Sequence, residues 1–221
     1  MAANAQKIIE KSAPVAAKQH VVLELPQATS IKIRGGSGKQ LRVRAAVTIN
    51  QNKLNDALQL TLVSTDDQIT VKSAFDEALL RTGQAADCPD GQSSWSSGNG
   101  KDDRTGYRVC SNVAVEIEVP AGVSLRVNTI SGNIEVTGLN GQLEAKSISG
   151  FVDVTWPPAQ SAQVAFKTIT GEVYTDQDIA FTNRKAGVPM VGYEVRGALG
   201  TAGPLVRLES ISNDVYFRKR K

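Results

Sequence analysis

Few residues in this sequence have the types and spacing that chemistry needs. His20 is the single histidine, so no second imidazole exists to share a metal. Cys88 and Cys110 stand 22 positions apart and lack any zinc-site spacing. The GSGK at 36–39 matches only the end of a phosphate loop, because Ile33 occupies the first glycine position and Gln40 replaces the Ser/Thr. Gly197, Gly200 and Gly203 do not form G-x-G-x-x-G and mark a turn, and no G-x-S-x-G elbow occurs. What remains is carboxylate chemistry. Paired acids serve glycoside hydrolysis, and the candidates are Glu135, Asp153, Glu172 and Asp214, with Asp66 and Asp67 upstream. Asp87, Asp90, Asp102 and Asp103 could offer oxygen ligands to Ca²⁺, but without EF-hand spacing a solvated loop is the simpler reading. No metal or cofactor is expected.

The elements that must position these groups follow from composition. The chain of 221 residues is 41% hydrophobic but only 5% aromatic, and it carries 19 glycines. That apolar fraction suits a packed core rather than disorder, and no run approaches the ~18 apolar residues of a spanning helix. The formal charge is +3, but the last four residues, Arg218, Lys219, Arg220 and Lys221, are all cations. The body therefore shows no basic field of the kind a nucleic-acid binder presents.

An internal repeat organises the chain. Four segments share a twelve-position pattern: LRVNTISGNIEV from Leu125, LEAKSISGFVDV from Leu143, VAFKTITGEVYT from Val164 and VRLESISNDVYF from Val206. Weaker copies are LTLVSTDDQITV from Leu60 and IKIRGGSGKQLRV from Ile31. Period-two alternation turns Leu125, Val127, Ile134 and Val136 inward and Arg126 and Glu135 outward. Each copy reads as strand, tight corner, strand, and buries its apolar face only against a neighbour. The expectation is an all-β, parallel β-solenoid or β-helix-like stack of about six to eight rungs, with an antiparallel β-sandwich as the alternative. Ile130, Ile148, Ile169 and Ile211 should then align as an interior ladder. Gly132, Gly150 and Gly171, with Asn213 and Asp67, should serve corners at positive φ. One short helix is possible over 74–83 and a helical turn or linker over 50–60.

The chain is expected to comprise a lead-in over 1–13 and one domain over 14–221. Two insertions interrupt that domain, at 83–110 and 176–203. The first is rich in Gly, Ser, Asn and Asp, so a Cys88–Cys110 disulfide would order it. The alternative is two unrelated buried thiols. A disulfide implies an oxidising compartment, and Ala3-Asn4-Ala5 looks like the end of a secretory leader. Export to the periplasm or cell surface is the expectation.

The segments ISGNIEVTG and SISGFVDV, after the lead-in IEVPAGVSLRVNT, resemble the bacterial putative-adhesin family of exported, repeat-built, β-helix-like domains. The resemblance is strongest over 113–175, extends to 204–217 and to the N-terminal IIEKSAPV…LELPQATSIKIRG, and does not include the stapled loop. It implies fold and export, and brings no catalytic residues.

The acids named above fall on outward repeat positions, as a solvated face would place them. Phe151, Tyr174 and Tyr216 share that face. Their rings could stack on sugars or fill a partner's pocket, as could those of Trp95 in the stapled loop and Trp156. The expected role is a non-enzymatic cell-envelope or adhesion-like binding domain whose partner is an envelope protein or glycan. The alternatives are a carbohydrate-active enzyme using the outer carboxylates and a purely structural envelope or stress scaffold.

Overall fold

The computed structural model describes residues 5–88, 107–184 and 189–220 and the backbone of 94–97. The described strands, in chain order, are β1 (Lys7–Pro14), β2 (His20–Glu24), β3 (Ser30–Gly36), β4 (Gln40–Ile49), β5 (Leu58–Ser64), β6 (Gln68–Phe75), β7 (Ser94–Ser97), β8 (Tyr107–Pro120), β9 (Ser124–Thr129), β10 (Asn133–Thr137), β11 (Leu143–Ser147), β12 (Val152–Trp156), β13 (Ala162–Thr168), β14 (Val173–Thr175), β15 (Ala180–Phe181), β16 (Val195–Leu199), β17 (Leu205–Ser210) and β18 (Val215–Lys219). They form two mixed sheets. The first runs β1-β4-β8-β3-β10-β12-β18-β14, with β7 beside β8, and the second runs β15-β16-β13-β17-β11-β9-β2-β6-β5. The all-β expectation holds.

The middle of each sheet is parallel and its ends are antiparallel. Parallel ladders join β8, β3, β10, β12, β18 and β14 in one sheet and β6, β2, β9, β11, β17 and β13 in the other. Antiparallel additions are β4 and β1 at one end, β5 beside β6, and β16 and β15 beyond β13. Each repeat copy supplies one strand to each sheet, so the copies stack as tiers. Their spatial order differs from their sequence order. The last copy, β17/β18, lies between β11/β12 and β13/β14, and β2/β3 lies between β6/β8 and β9/β10.

Alternation sets the core. Leu125, Val127, Ile134 and Val136 are buried between the sheets, as predicted, and Phe166 of one sheet meets Phe217 of the other at 5.4 Å between ring centroids. At the corners the prediction fails. Ile130, Ile148 and Ile169 are 48%, 39% and 44% exposed and Ile211 is half-buried, so they are not an interior ladder. The buried residue is the Ser or Thr just before each isoleucine. Thr129 Oγ1 donates to Leu25 O (2.9 Å), Ser147 Oγ to Gly132 O (2.9 Å), Ser210 Oγ to Gly150 O (2.9 Å) and Thr168 Oγ1 to Asn213 O (2.8 Å). Each acceptor belongs to the neighbouring tier. Within the same turn, the N–H groups of Gly150, Gly171 and Asn213 donate back to the hydroxyls of Ser147, Thr168 and Ser210 at 2.9–3.1 Å. The interior of such a corner is thus occupied by a hydroxyl and the backbone it bonds, and the isoleucine that follows turns outward.

The corner glycines also serve a purpose other than the expected one. None of Gly132, Gly150 and Gly171 has a positive φ, and neither has Asn213 or Asp67. A Cβ on Gly150 would stand 2.1 Å from Gly132 O, so glycine is required by the close approach of successive corners. The two weak copies are not tiers. The Leu60 segment is the antiparallel β5–β6 hairpin, with Asp66 and Asp67 in its turn, and the Ile31 segment joins β3 to β4 within one sheet. The helix expected over 74–83 is four residues long, Glu77–Leu80, capped by Asp76, and 50–60 holds a single 3₁₀ turn at Asn55–Ala57.

Replacing Ser147 by Ala should leave the Gly132 carbonyl and the Gly150 N–H buried without a partner. We expect a loss of about 2 kcal/mol or more in urea unfolding, against less than about 0.5 kcal/mol for the exposed Ser149→Ala. Equal effects from the two would show that the hydroxyl does not hold the corner.

Candidate functional site

The outer face of the first sheet carries the densest group of sequence-predicted residues. Its outward rows follow the register: Asp153 pairs with Tyr216 and Tyr174 with Tyr216, each on neighbouring parallel strands. Because β18 lies between β12 and β14, Tyr216 stands between the other two aromatic residues. Its ring stacks on Tyr174 (5.2 Å, 13° between planes) and meets Phe151 edge-on (6.2 Å, 85°). Tyr174, on the edge strand β14, is 45% exposed. The guanidinium of Arg218 sits over the Tyr216 ring at 4.6 Å, within cation–π range.

Carboxylates rim the patch and hold the phenols. Tyr174 donates its hydroxyl to Glu172 (2.8 Å) and Tyr216 to Asp214 (2.9 Å). The hydrogen bond to Glu172 is the main reason that the Tyr174 phenol is pushed up to about 12; bonding to Asp214 likewise raises that of Tyr216. Asp153 accepts Arg218 at 2.9 Å on one oxygen, while its other oxygen is buried with no partner. Burial raises its carboxyl above the ordinary aspartate range, against the downward pull of Arg218 and with an upward push from Glu135, its cross-strand neighbour. Asp66 and Asp67, in the β5–β6 turn of the other sheet, do not join this group.

The other predicted residues are dispersed. Trp156 is fully buried, donates Nε1–H to Gln160 O (3.0 Å) and packs on Phe217, so it is a core residue and not a surface anchor. Trp95 lies on β7, whose backbone pairs with β8, and its side chain is outside the described residues, as are Asp90, Asp102, Asp103 and Ala3-Asn4. Cys88 and Cys110 form the expected disulfide. Asp87 is buried and ion-paired with Lys53, and no metal-holding cluster occurs among the described residues. His20 is exposed at the start of β2. The outer face of the second sheet satisfies its own charge: Arg126 pairs with Glu144 (2.9 Å), Lys146 with Glu209 (3.2 Å), and Arg207 and Arg196 with Glu194 (2.5 and 2.6 Å). The exposed isoleucines, expected inside from the stacking of the copies, form an outer ridge instead. Successive corners bond along it, Ile148 N to Ile130 O and Ile169 N to Ile211 O, each at 3.2 Å.

No family model and no curated protein matches the chain. Among solved structures it is similar to a putative cell adhesion protein from Clostridium sporogenes, at 10% identity and a TM-score of 0.54, covering 97% of this chain and 100% of that one. That likeness is one of fold. Weaker matches are a putative adhesin from Bacteroides fragilis (9% identity, TM-score 0.24, 98% and 99% covered) and a putative lipid binding protein from Parabacteroides distasonis (8%, 0.26, 97% of each). None of the described helices is long and apolar enough to cross a membrane.

In an ultraviolet titration the Tyr174 phenolate should form near pH 12, and Glu172→Gln should return it toward the ordinary value of about 10. A titration unchanged by Glu172→Gln would exclude the hydrogen bond as its cause.

Proposed function

We propose that this chain is a non-enzymatic, exported binding domain of the cell envelope, built as a short two-sheeted solenoid with antiparallel caps. The supporting observation is the patch of Phe151, Tyr216 and Tyr174. It is a solvent-facing aromatic group on a surface whose other charges are largely paired. Stacked, hydrogen-bonded phenols lose little freedom when a partner covers them, which favours contact at low entropic cost. Tyr174 at the sheet edge leaves one ring face open to a sugar ring or an apolar side chain. The disulfide agrees with an oxidising compartment. The fold is shared with a protein named for cell adhesion, and the patch narrows that broad role to one surface.

A second reading is kept by one observation. The carboxyl of Asp153, beside Glu135, is raised above its ordinary range by burial, the direction in which a general acid is shifted. In this reading the outer carboxylates cleave a glycan.

One experiment separates the two. A glycan array and an envelope-fraction pull-down should give a partner whose affinity falls at least about tenfold for Tyr174→Ala and Tyr216→Ala, the size of effect expected of interface aromatics. Asp153→Asn should leave that affinity unchanged, and no oligosaccharide should be released. Binding insensitive to both tyrosine variants would refute the patch. Product release abolished by Asp153→Asn would replace binding with catalysis.

A further inference from the structure

On the edge opposite the corners, near the β1 end of the stack, three connections meet: 15–19 before β2, 37–39 between β3 and β4, and 121–123 between β8 and β9. Val15 N donates to Lys39 O (2.9 Å) and Ala121 N to Gly36 O (2.8 Å), so the three are tied to one another. Two adjoining depressions lie over them. One, of about 520 Å³, is lined by Arg34, Gly36, Gly38, Lys39, Arg42 and Glu118. The other, of about 740 Å³, includes Ala16, Lys18, His20, Lys39, Gly122 and Ser124. Lys39 lines both, so the two depressions adjoin at its side chain and together form the candidate cleft.

Its charge is unlike that of the rest of the surface. Most cations on the sheet faces have a carboxylate within 4 Å, as Arg44 has Glu116 and Lys72 has Glu24. In this cleft Arg42 reaches Glu118 at 3.6 Å, while Lys18, Arg34 and Lys39 have no ion-pair partner among the described residues. Four cations thus face one carboxylate, in a chain whose formal excess is only +3. Gathered like charges repel one another, which destabilises the cleft until an anion neutralises them. The wall between Arg34 and Lys39 is also low. A Cβ on Gly36 or Gly38 would meet nothing within 4 Å, and neither residue has a positive φ, so neither packing nor backbone strain requires glycine there. Bare backbone leaves the floor open to a ligand lying along it.

We propose that this cleft binds an extended anionic polysaccharide, carrying sulfate or uronate groups, with Arg34 and Arg42, then Lys39, then Lys18 meeting successive anionic groups. The small residues Ala16, Gly36, Gly38, Gly122 and Ser124 admit a sugar backbone. Among the described residues no Phe, Tyr or Trp lines the cleft, and His20 at one end is its single ring, which sets it apart from the aromatic platforms of single-stranded nucleic-acid grooves. Among the described residues no exposed large apolar side chain lines it for insertion among acyl chains. The site is separate from the aromatic patch and does not depend on it.

The test is calorimetric titration of the full chain with a size-defined heparin oligosaccharide at about 50 and about 200 mM NaCl. Ionic contacts of this number weaken by at least about tenfold over that range. Arg34→Ala combined with Lys39→Ala, both at exposed positions, should lower affinity at least about tenfold without changing the melting temperature. The tail variant Arg220→Ala with Lys221→Ala should bind as the parent does. Absence of binding at low salt, binding indifferent to the cleft variant, or binding lost with the tail variant would each overturn the proposal. Tighter association with phosphatidylglycerol vesicles than with the oligosaccharide, weakened by the same cleft variant, would overturn the glycan assignment in favour of a lipid surface. Competition by inorganic phosphate at low millimolar concentration would likewise contradict an extended ligand.

Discussion

The structure depends on a buried hydroxyl repeated at four successive corners. Thr129, Ser147, Ser210 and Thr168 each give a proton to a carbonyl of the adjacent tier, and three of them also take a hydrogen bond from the N–H three residues on. All four donate in the same direction along the stack. Such a hydroxyl closes its own turn and fixes the register to the next tier with the same atom, and in a buried corner neither backbone group has water as an alternative. Two further features follow. The inward place at each of these corners is taken by the hydroxyl, so the isoleucine after it turns outward. The corners also approach so closely that Gly150 cannot carry a Cβ.

The same corner explains the stapled insertion. Glu24 pairs with both Lys72 and Asn128, so Ser73 holds in the β6 tier the place that Thr129 holds in the β9 tier. Ser73 is buried and donates to Gln27 Oε1 (2.6 Å). The chain then leaves the stack and returns in β8, so the insertion is an enlarged corner. Asn50 anchors its base: it is fully buried at φ 47°, accepts the Cys110 N–H (3.0 Å) and donates to Arg108 O (2.9 Å). The disulfide closes the base on the same side.

Legibility in the sequence ends where hydrophobicity is set above period-two alternation. Within strands, alternation placed Leu125, Val127, Ile134 and Val136 correctly, because a residue's side of a pleated strand is decided locally. Carried one step further, the same alternation turns Thr129 inward and Ile130 outward, and its phase changes only between Thr129 and Ile134; the interior ladder rests on hydrophobicity instead. A recurring Ser/Thr before each isoleucine was the available signal, since a hydroxyl is the side chain that can both give and take a hydrogen bond there. The true first tier, VVLELPQATSIKI from Val21, was missed because Leu25 replaces the hydroxyl and one residue is added before Ile31. The cations of the cleft are invisible for another reason: Lys18 and Lys39 meet only through the tertiary approach of two connections, and Arg34 joins them from the end of β3.

Strand order is the other property that no local pattern encodes, and the aromatic patch depends on it. In sequence order the tier of Tyr174 would lie directly against that of Asp153. In the structure the final copy separates them, and Tyr216 gains Phe151 on one side and Tyr174 on the other. Backbone proton–proton contacts in a solution NMR spectrum test this most directly. Parallel pairing of β18 with both neighbours predicts cross-strand contacts from the tier of Tyr216 to that of Asp153 and to that of Tyr174, with none between the last two. Direct contacts between the Asp153 and Tyr174 strands would contradict the order, and the patch with it.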